Sequence, residues 1–119
     1  MSDSIRDFKD LIVWRKAIGF AKEIYMLTKC FPKEERFGLT SQVRRAAVSV
    51  SSNIAEGHTR QGREFVHFLS VARGSLAEVE SQLLLAVELD YLSFEKLTTA
   101  LALASEVRRM AIALAHKIT

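Results

Sequence analysis

The chain has 119 residues, a formal charge of +3, one proline, five glycines and one cysteine, a length that suits a single domain. Its apolar fraction of 49% excludes a disordered chain, and so few breakers favour long helices over many short strands. One cysteine excludes an internal disulfide, the charged opening "MSDSIRDFKD" is no secretory signal, and no run of about 18 uncharged apolar residues is present to span a bilayer. The expectation is a cytoplasmic protein without membrane contact.

Four apolar-periodic segments follow, predicting helices over residues 7–30, 40–57, 62–90 and 94–116. In the first, Leu11, Trp14, Ile18, Ala21, Tyr25 and Thr28 recur at steps of three and four, and so do Val13, Ala17, Phe20, Ile24, Leu27 and Phe31. Two adjacent stripes make a broad apolar face. "FPKEERFG" breaks it, because Pro32 disfavours helical geometry at Phe31. The second segment contains "VSVS", which alternates like a strand, but Val43, Ala47, Val50 and Ile54 keep helical period around it. Helix two is therefore expected to stop with Gly57 just past its end. Its Ala46, Ala47, Ser49, Ser51, Ser52 and Ala55 are small enough to let a neighbouring helix approach, and their hydroxyls suit bonds to the preceding turn.

Thr59 is expected to cap helix three, whose Phe65, Leu69, Ala72, Leu76, Val79, Leu83 and Ala86 step 4, 3, 4, 3, 4, 3, the seam of an antiparallel bundle. Phe68, Ser75, Gln82, Leu85 and Leu89 widen its apolar side, and "DYLS" ends it. Ser93 is the expected cap of helix four, with Glu95 in its first turn. Helix four carries one stripe through Ala100, Leu103, Val107, Met110 and Leu114 and another through Leu97, Leu101, Ala104, Ala111 and Ile118. The predicted fold is all-α, an antiparallel up-and-down four-helix bundle in one domain over residues 1–119. The surplus stripes on helices one and four predict self-association, since large exposed apolar patches are uncommon on monomers.

The blocks "FKDLIVWRKA", "FPKEERFGLTSQVRRAAVSVSSNIAEG" and "REFVHFLSVARGSLAEVESQLLLA" together resemble the 23S rRNA intervening-sequence proteins over roughly residues 7–115. The resemblance implies a ring-like homopentamer, with Asn53, Glu56, Gly57, Gly74 and Ser75 falling in the "NIAEG" and "GSLAEVE" motifs. It also implies a relation to the basic pentameric accessory proteins of diversity-generating retroelements, which engage a reverse transcriptase and nucleic acid. Family members usually have proline where this chain has Ser51, a departure that softens any kink in helix two.

Charge is segregated. Residues 36–77 hold six Arg and no Lys against Glu56 and Glu64, a net of +4, whereas residues 78–95 hold five acids and no base. The candidate nucleic-acid contacts are Arg44, Arg45, Arg60, Arg63, Arg108 and Arg109, with Arg73 beside them, because a planar guanidinium suits phosphate and clustered charge releases counterions. The simpler reading puts these Arg on a solvated face or in ion pairs with Glu78, Glu80 and Glu88 across a subunit seam. Within each doublet the side chains point about 100° apart, so one member suits a partner and the other solvent. Trp14, Phe20, Tyr25, Phe65 and Phe68 lie on apolar stripes and are expected in the core, which leaves backbone electrostatics rather than base recognition.

Catalytic chemistry has thin support. Glu64 and His67 form one Glu-x-x-His pair, whereas a di-iron bundle needs two with further Glu on other helices. A solvated Glu and a half-buried His are expected instead. Cys30 reads as a partly buried structural thiol, and His58 and His116 as helix-end residues. Asn53 is expected to bond across to a neighbouring helix, and Glu56 to pair with Arg60 or Arg63. The expected protein is not an enzyme and carries no metal or cofactor. It is a homo-oligomer whose partners are itself, RNA or DNA, or a protein bound to nucleic acid. The alternative is a pure assembly or adaptor protein whose Arg serve intersubunit ion pairs.

Overall fold

Each apolar stripe in the sequence meets a different fate once the helices pack. In a computed structural model that describes residues 7–118, the chain forms four α-helices, α1 Ile12–Leu27, α2 Leu39–Arg60, α3 Gly62–Glu88 and α4 Thr98–Ile118, with no strand among the described residues. Residues 1–6, the start of the opening segment, lie outside the described part.

α1 is shorter than the expected 7–30. A 3-10 turn at Phe8–Asp10, closed by reciprocal Asp7 and Asp10 capping bonds, precedes it, and another at Thr28–Cys30 follows. Phe31 is extended (φ −67°, ψ 147°) ahead of Pro32, as steric clash with the proline ring requires. Of the two stripes, Val13, Ala17, Phe20 and Ile24 are buried, whereas Ile18 and Tyr25 of the other remain 41% and 42% exposed.

α2 passes through Gly57 and runs on to Arg60, which corrects the expected stop. The glycine is buried and close-packed: a Cβ built on it would lie 2.6 Å from Phe68 Cβ and 2.9 Å from Phe65 Cδ1. Gly57 therefore serves helix approach rather than termination. The reversal lies at Gln61 (φ 65°) and Gly62 (φ 57°). Thr59, expected to cap α3, sits in the last turn of α2 and donates to Glu56 O at 2.7 Å. Ser51 is buried in an unbroken α2 and donates to Val48 O at 3.1 Å.

The α2–α3 contact is the most extensive in the molecule. All seven residues of the predicted α3 seam are buried, and full burial of a side chain such as Leu69, Leu76 or Leu83 stabilises by about 1.5–3 kcal/mol. Ser75 Oγ donates across to Ser49 Oγ at 2.9 Å. Asn53 does not make the expected interhelical bond; its amide donates to Ser49 O and Oγ within α2, at 2.8 and 2.9 Å. The hydroxyl of Ser75 bridges the helices in its place.

α4 is preceded by a 3-10 turn at Phe94–Leu97, and Ser93 makes no side-chain cap. Leu97 of that turn begins a buried line that α4 continues through Ala100, Ala104, Val107 and Ala111, drawn from both predicted stripes, with Leu103, Met110 and Leu114 at the core edge. Small alanines bring the α4 backbone close, so the contact line falls between the stripes rather than along either.

Candidate nucleic-acid interface

The start of α2 is organised by Glu35. Its carboxylate accepts from Leu39 N–H at 2.9 Å and from the Tyr91 hydroxyl at 2.6 Å, standing in for the side-chain cap that Gly38 cannot supply. These bonds, that from Tyr91 foremost, hold the Glu35 carboxyl below the usual carboxylate range, and the same bond raises the Tyr91 phenol. The start of α2 meets the end of α1 here, because Arg44 reaches from α2 to the C-terminal turn of α1. Arg44 Nε donates to Thr28 Oγ1 at 2.8 Å, a terminal nitrogen lies 3.4 Å from Tyr25 O, and the guanidinium sits 4.6 Å from the Tyr25 ring centroid. A cation at a helix C-terminus complements its dipole.

Beside that tie lies a groove of about 340 Å³ lined by Tyr25, Arg36, Phe37, Thr40, Ser41, Arg44 and Arg45. Three of the seven are Arg and none is acidic. Arg45 is exposed and has no ion-pair or hydrogen-bond partner among the described residues. Phe37 is 88% exposed, and the Arg36 guanidinium lies 5.2 Å from its ring centroid.

The other candidate Arg lie elsewhere. Arg60 follows Arg44 by sixteen residues of α2, about 24 Å along a helix, and is held between Glu64 and Glu56, each at 3.0 Å. The two carboxylates, Glu64 first, raise the Arg60 pKa further. Arg63 is exposed beside the α2–α3 turn without a partner among the described residues. Arg108 pairs with Glu80 of α3, and Arg109 donates to Ser105 Oγ at 2.7 Å. The six positions thus divide into separate groups, and Arg44 and Arg45 share their groove with Arg36. Each doublet splits as helical geometry requires: Arg44 and Arg108 turn to a neighbouring helix of the same chain, Arg45 and Arg109 to solvent.

Several side chains depart from expectation. Tyr25 is not core but a groove wall. Cys30 is exposed, its thiol 3.1 Å from Leu27 O and 3.6 Å from Tyr91 O. His67 is exposed, edge-on to Phe68, and its partner in the Glu-x-x-His pair, Glu64, is engaged by Arg60. Among the described residues no three His, Cys, Asp or Glu gather closely enough to hold a metal ion, and no helix is long and apolar enough to cross a membrane. Gly74 is exposed with open space around its Cα. Arg36 and Phe37 were missed in the sequence, where they sit inside a polar turn; the available signal was an aromatic residue lying off every apolar stripe.

A family model described as 23S rRNA-intervening sequence protein matches residues 9–113. A solved structure from Bacteroides thetaiotaomicron, a protein with unknown function from the S23 ribosomal protein family, is 24% identical. The match covers 87% of this chain and 98% of that one, with a TM-score of 0.76; at that identity it shows the fold alone. No curated protein matches the chain.

Proposed function

From its membership of the 23S rRNA-intervening sequence protein family, we propose that this chain works without catalysis, as a homo-oligomeric helical bundle that holds nucleic acid through the groove at the α1–α2 junction. One observation carries the reading: three Arg and two aromatic rings share a groove with no carboxylate in its walls. Guanidinium groups there meet phosphate without first displacing an internal ion pair, as Arg60 and Arg108 would have to. A cytoplasmic location suits an intracellular nucleic acid, and a protein already bound to RNA or DNA would present the same phosphates.

The up-and-down antiparallel order of the helices belongs to this reading. Contacts such as Thr28 with Arg44, Ser49 with Ser75 and Glu80 with Arg108 support it, since each joins consecutive or neighbouring helices at matching heights. Assembly, as a ring of five by family analogy, is supported by the apolar side chains left outside the core, among them Ile12, Met26, Leu84, Leu85 and Leu89. Those same side chains favour a second reading, an assembly or adaptor protein with no nucleic acid of its own.

A salt-titrated binding assay with structured RNA and duplex DNA decides between them. Affinity should be greatest near about 50 mM salt and fall steeply above it, because each neutralised phosphate releases counterions. Arg45→Ala should weaken binding while leaving the oligomer intact. Affinity no better than that of an uncharged control protein at the low-salt end rejects the nucleic-acid reading, and loss of the oligomer on Arg45→Ala without a binding defect favours the adaptor.

A further inference from the structure

Phe37 has no structural employment among the described residues. It lies outside the buried core cluster, the residue is 88% exposed, and its one ring contact among the described residues is the neighbouring Arg36 guanidinium at 5.2 Å. Exposing a phenyl ring gives up roughly the 1.5–3 kcal/mol that its burial would return. The residue is nevertheless placed with care: Glu35, two residues before it, is fixed by bonds from Tyr91 and Leu39, and Gly38, directly after it, leads into α2. The turn that presents the ring is thus anchored to both α2 and the segment after α3.

Around it stand groups that suit a nucleotide rather than another protein core. Arg36 and Arg45 supply positive charge, and the side-chain hydroxyls of Thr40 and Ser41 have no hydrogen-bond partner among the described residues. The groove has cations, free hydroxyls and one flat open ring, and no carboxylate. A paired base keeps its faces inside the helical stack, so an exposed ring has nothing to stack on in a duplex; an unpaired base offers both faces.

We infer that the groove takes an unpaired nucleobase, stacked on Phe37, with the flanking phosphates on Arg36 and Arg45. This rests on the nucleic-acid reading above and narrows it to single-stranded or looped segments. Stacking is tolerant of base identity, so the groove discriminates strandedness, not sequence.

The test uses a fluorescently labelled single strand of about 12 nucleotides, within the span of known single-strand sites, prepared as RNA and as DNA, each alone and annealed to its complement. The intact protein should bind the single strand more tightly than the duplex. Phe37→Ala should lower single-strand affinity by about 5- to 150-fold, the range of one base–aromatic stack, with little change for the duplex, and Phe37→Tyr should keep most of it. Arg45→Ala should reduce the salt slope for the single strand by about 0.7 for the phosphate it loses. If Phe37→Ala leaves single-strand affinity unchanged while Arg45→Ala weakens both forms, stacking is wrong and phosphate binding stands. If neither form binds at low salt, both readings fall. A lower oligomer mass for Phe37→Ala by light scattering would assign the ring to a subunit contact and overturn the inference.

Discussion

At residue 57 a single methyl group has nowhere to go. The added Cβ would sit 2.6 Å from Phe68 Cβ and 2.9 Å from Phe65 Cδ1, and Phe65 is itself part of the core. Gly57→Ala should therefore destabilise by about 1–3 kcal/mol, the usual penalty of overpacking, although alanine is the better helix former by about 1 kcal/mol. Gly74 provides the internal control: it is helical, exposed and has nothing within 4 Å of an added Cβ. Gly74→Ala should gain up to about 1 kcal/mol through helix propensity alone. Urea midpoints at constant slope read both values, and equal effects at the two positions would show that α2–α3 approach does not depend on Gly57. The sequence hides this distinction because both glycines follow helical runs. Only the neighbours brought in from α3 separate a spacer from a terminator.

Element ends repeat the lesson. α3 finishes on a Schellman arrangement in which Tyr91 N–H bonds Ala86 O and Asp90 N–H bonds Val87 O, both at 2.9 Å, with Asp90 at φ 62°. An aspartate there carries two penalties: left-handed backbone geometry that glycine adopts freely, and negative charge at the negative end of a 27-residue helix. Asp90→Gly should raise stability by about 1 kcal/mol and Asp90→Asn by somewhat less, read as higher thermal midpoints by circular dichroism; a fall in both would contradict the cap geometry. The helices themselves were legible, since the α3 seam is seven residues long in strict alternation and every member is buried. Their boundaries were less so. α2 is capped by Glu35, whose position depends on Tyr91, 56 residues later, and no local pattern in the sequence encodes that pairing. Phe37 stood out in the sequence only as an aromatic residue off every apolar stripe; the place it takes follows from where that cap holds the turn.

For the whole molecule the question is what lies against the apolar surface that the bundle leaves outside. Ile18 and Tyr25 are the members of one α1 stripe that the core leaves exposed, and Leu85 and Leu89, 48% and 46% exposed, stand one turn apart near the end of α3. Only the α1 part of that surplus was visible as a doubled stripe: both α4 stripes pack in or against the core, and Leu85 and Leu89 belong to the widened side of α3. Light scattering at micromolar concentration should report a multiple of the 13.4 kDa chain mass. Leu85→Glu combined with Leu89→Glu should lower that mass while leaving helicity unchanged, because neither side chain belongs to the buried cluster, and Glu88 and Asp90 already make this end acidic. The same variant separates assembly from contact. On the proposed function, several grooves on one oligomer would multiply the local concentration of sites on a long RNA, by factors that reach about 10²–10⁴ in avidity, whereas a short oligonucleotide would fill one groove at a time. Dissociation should therefore weaken binding of long RNA and spare the short strand. A native protein that scatters as one chain, or a dissociated variant that keeps full affinity for long RNA, would place the work of binding in the single bundle.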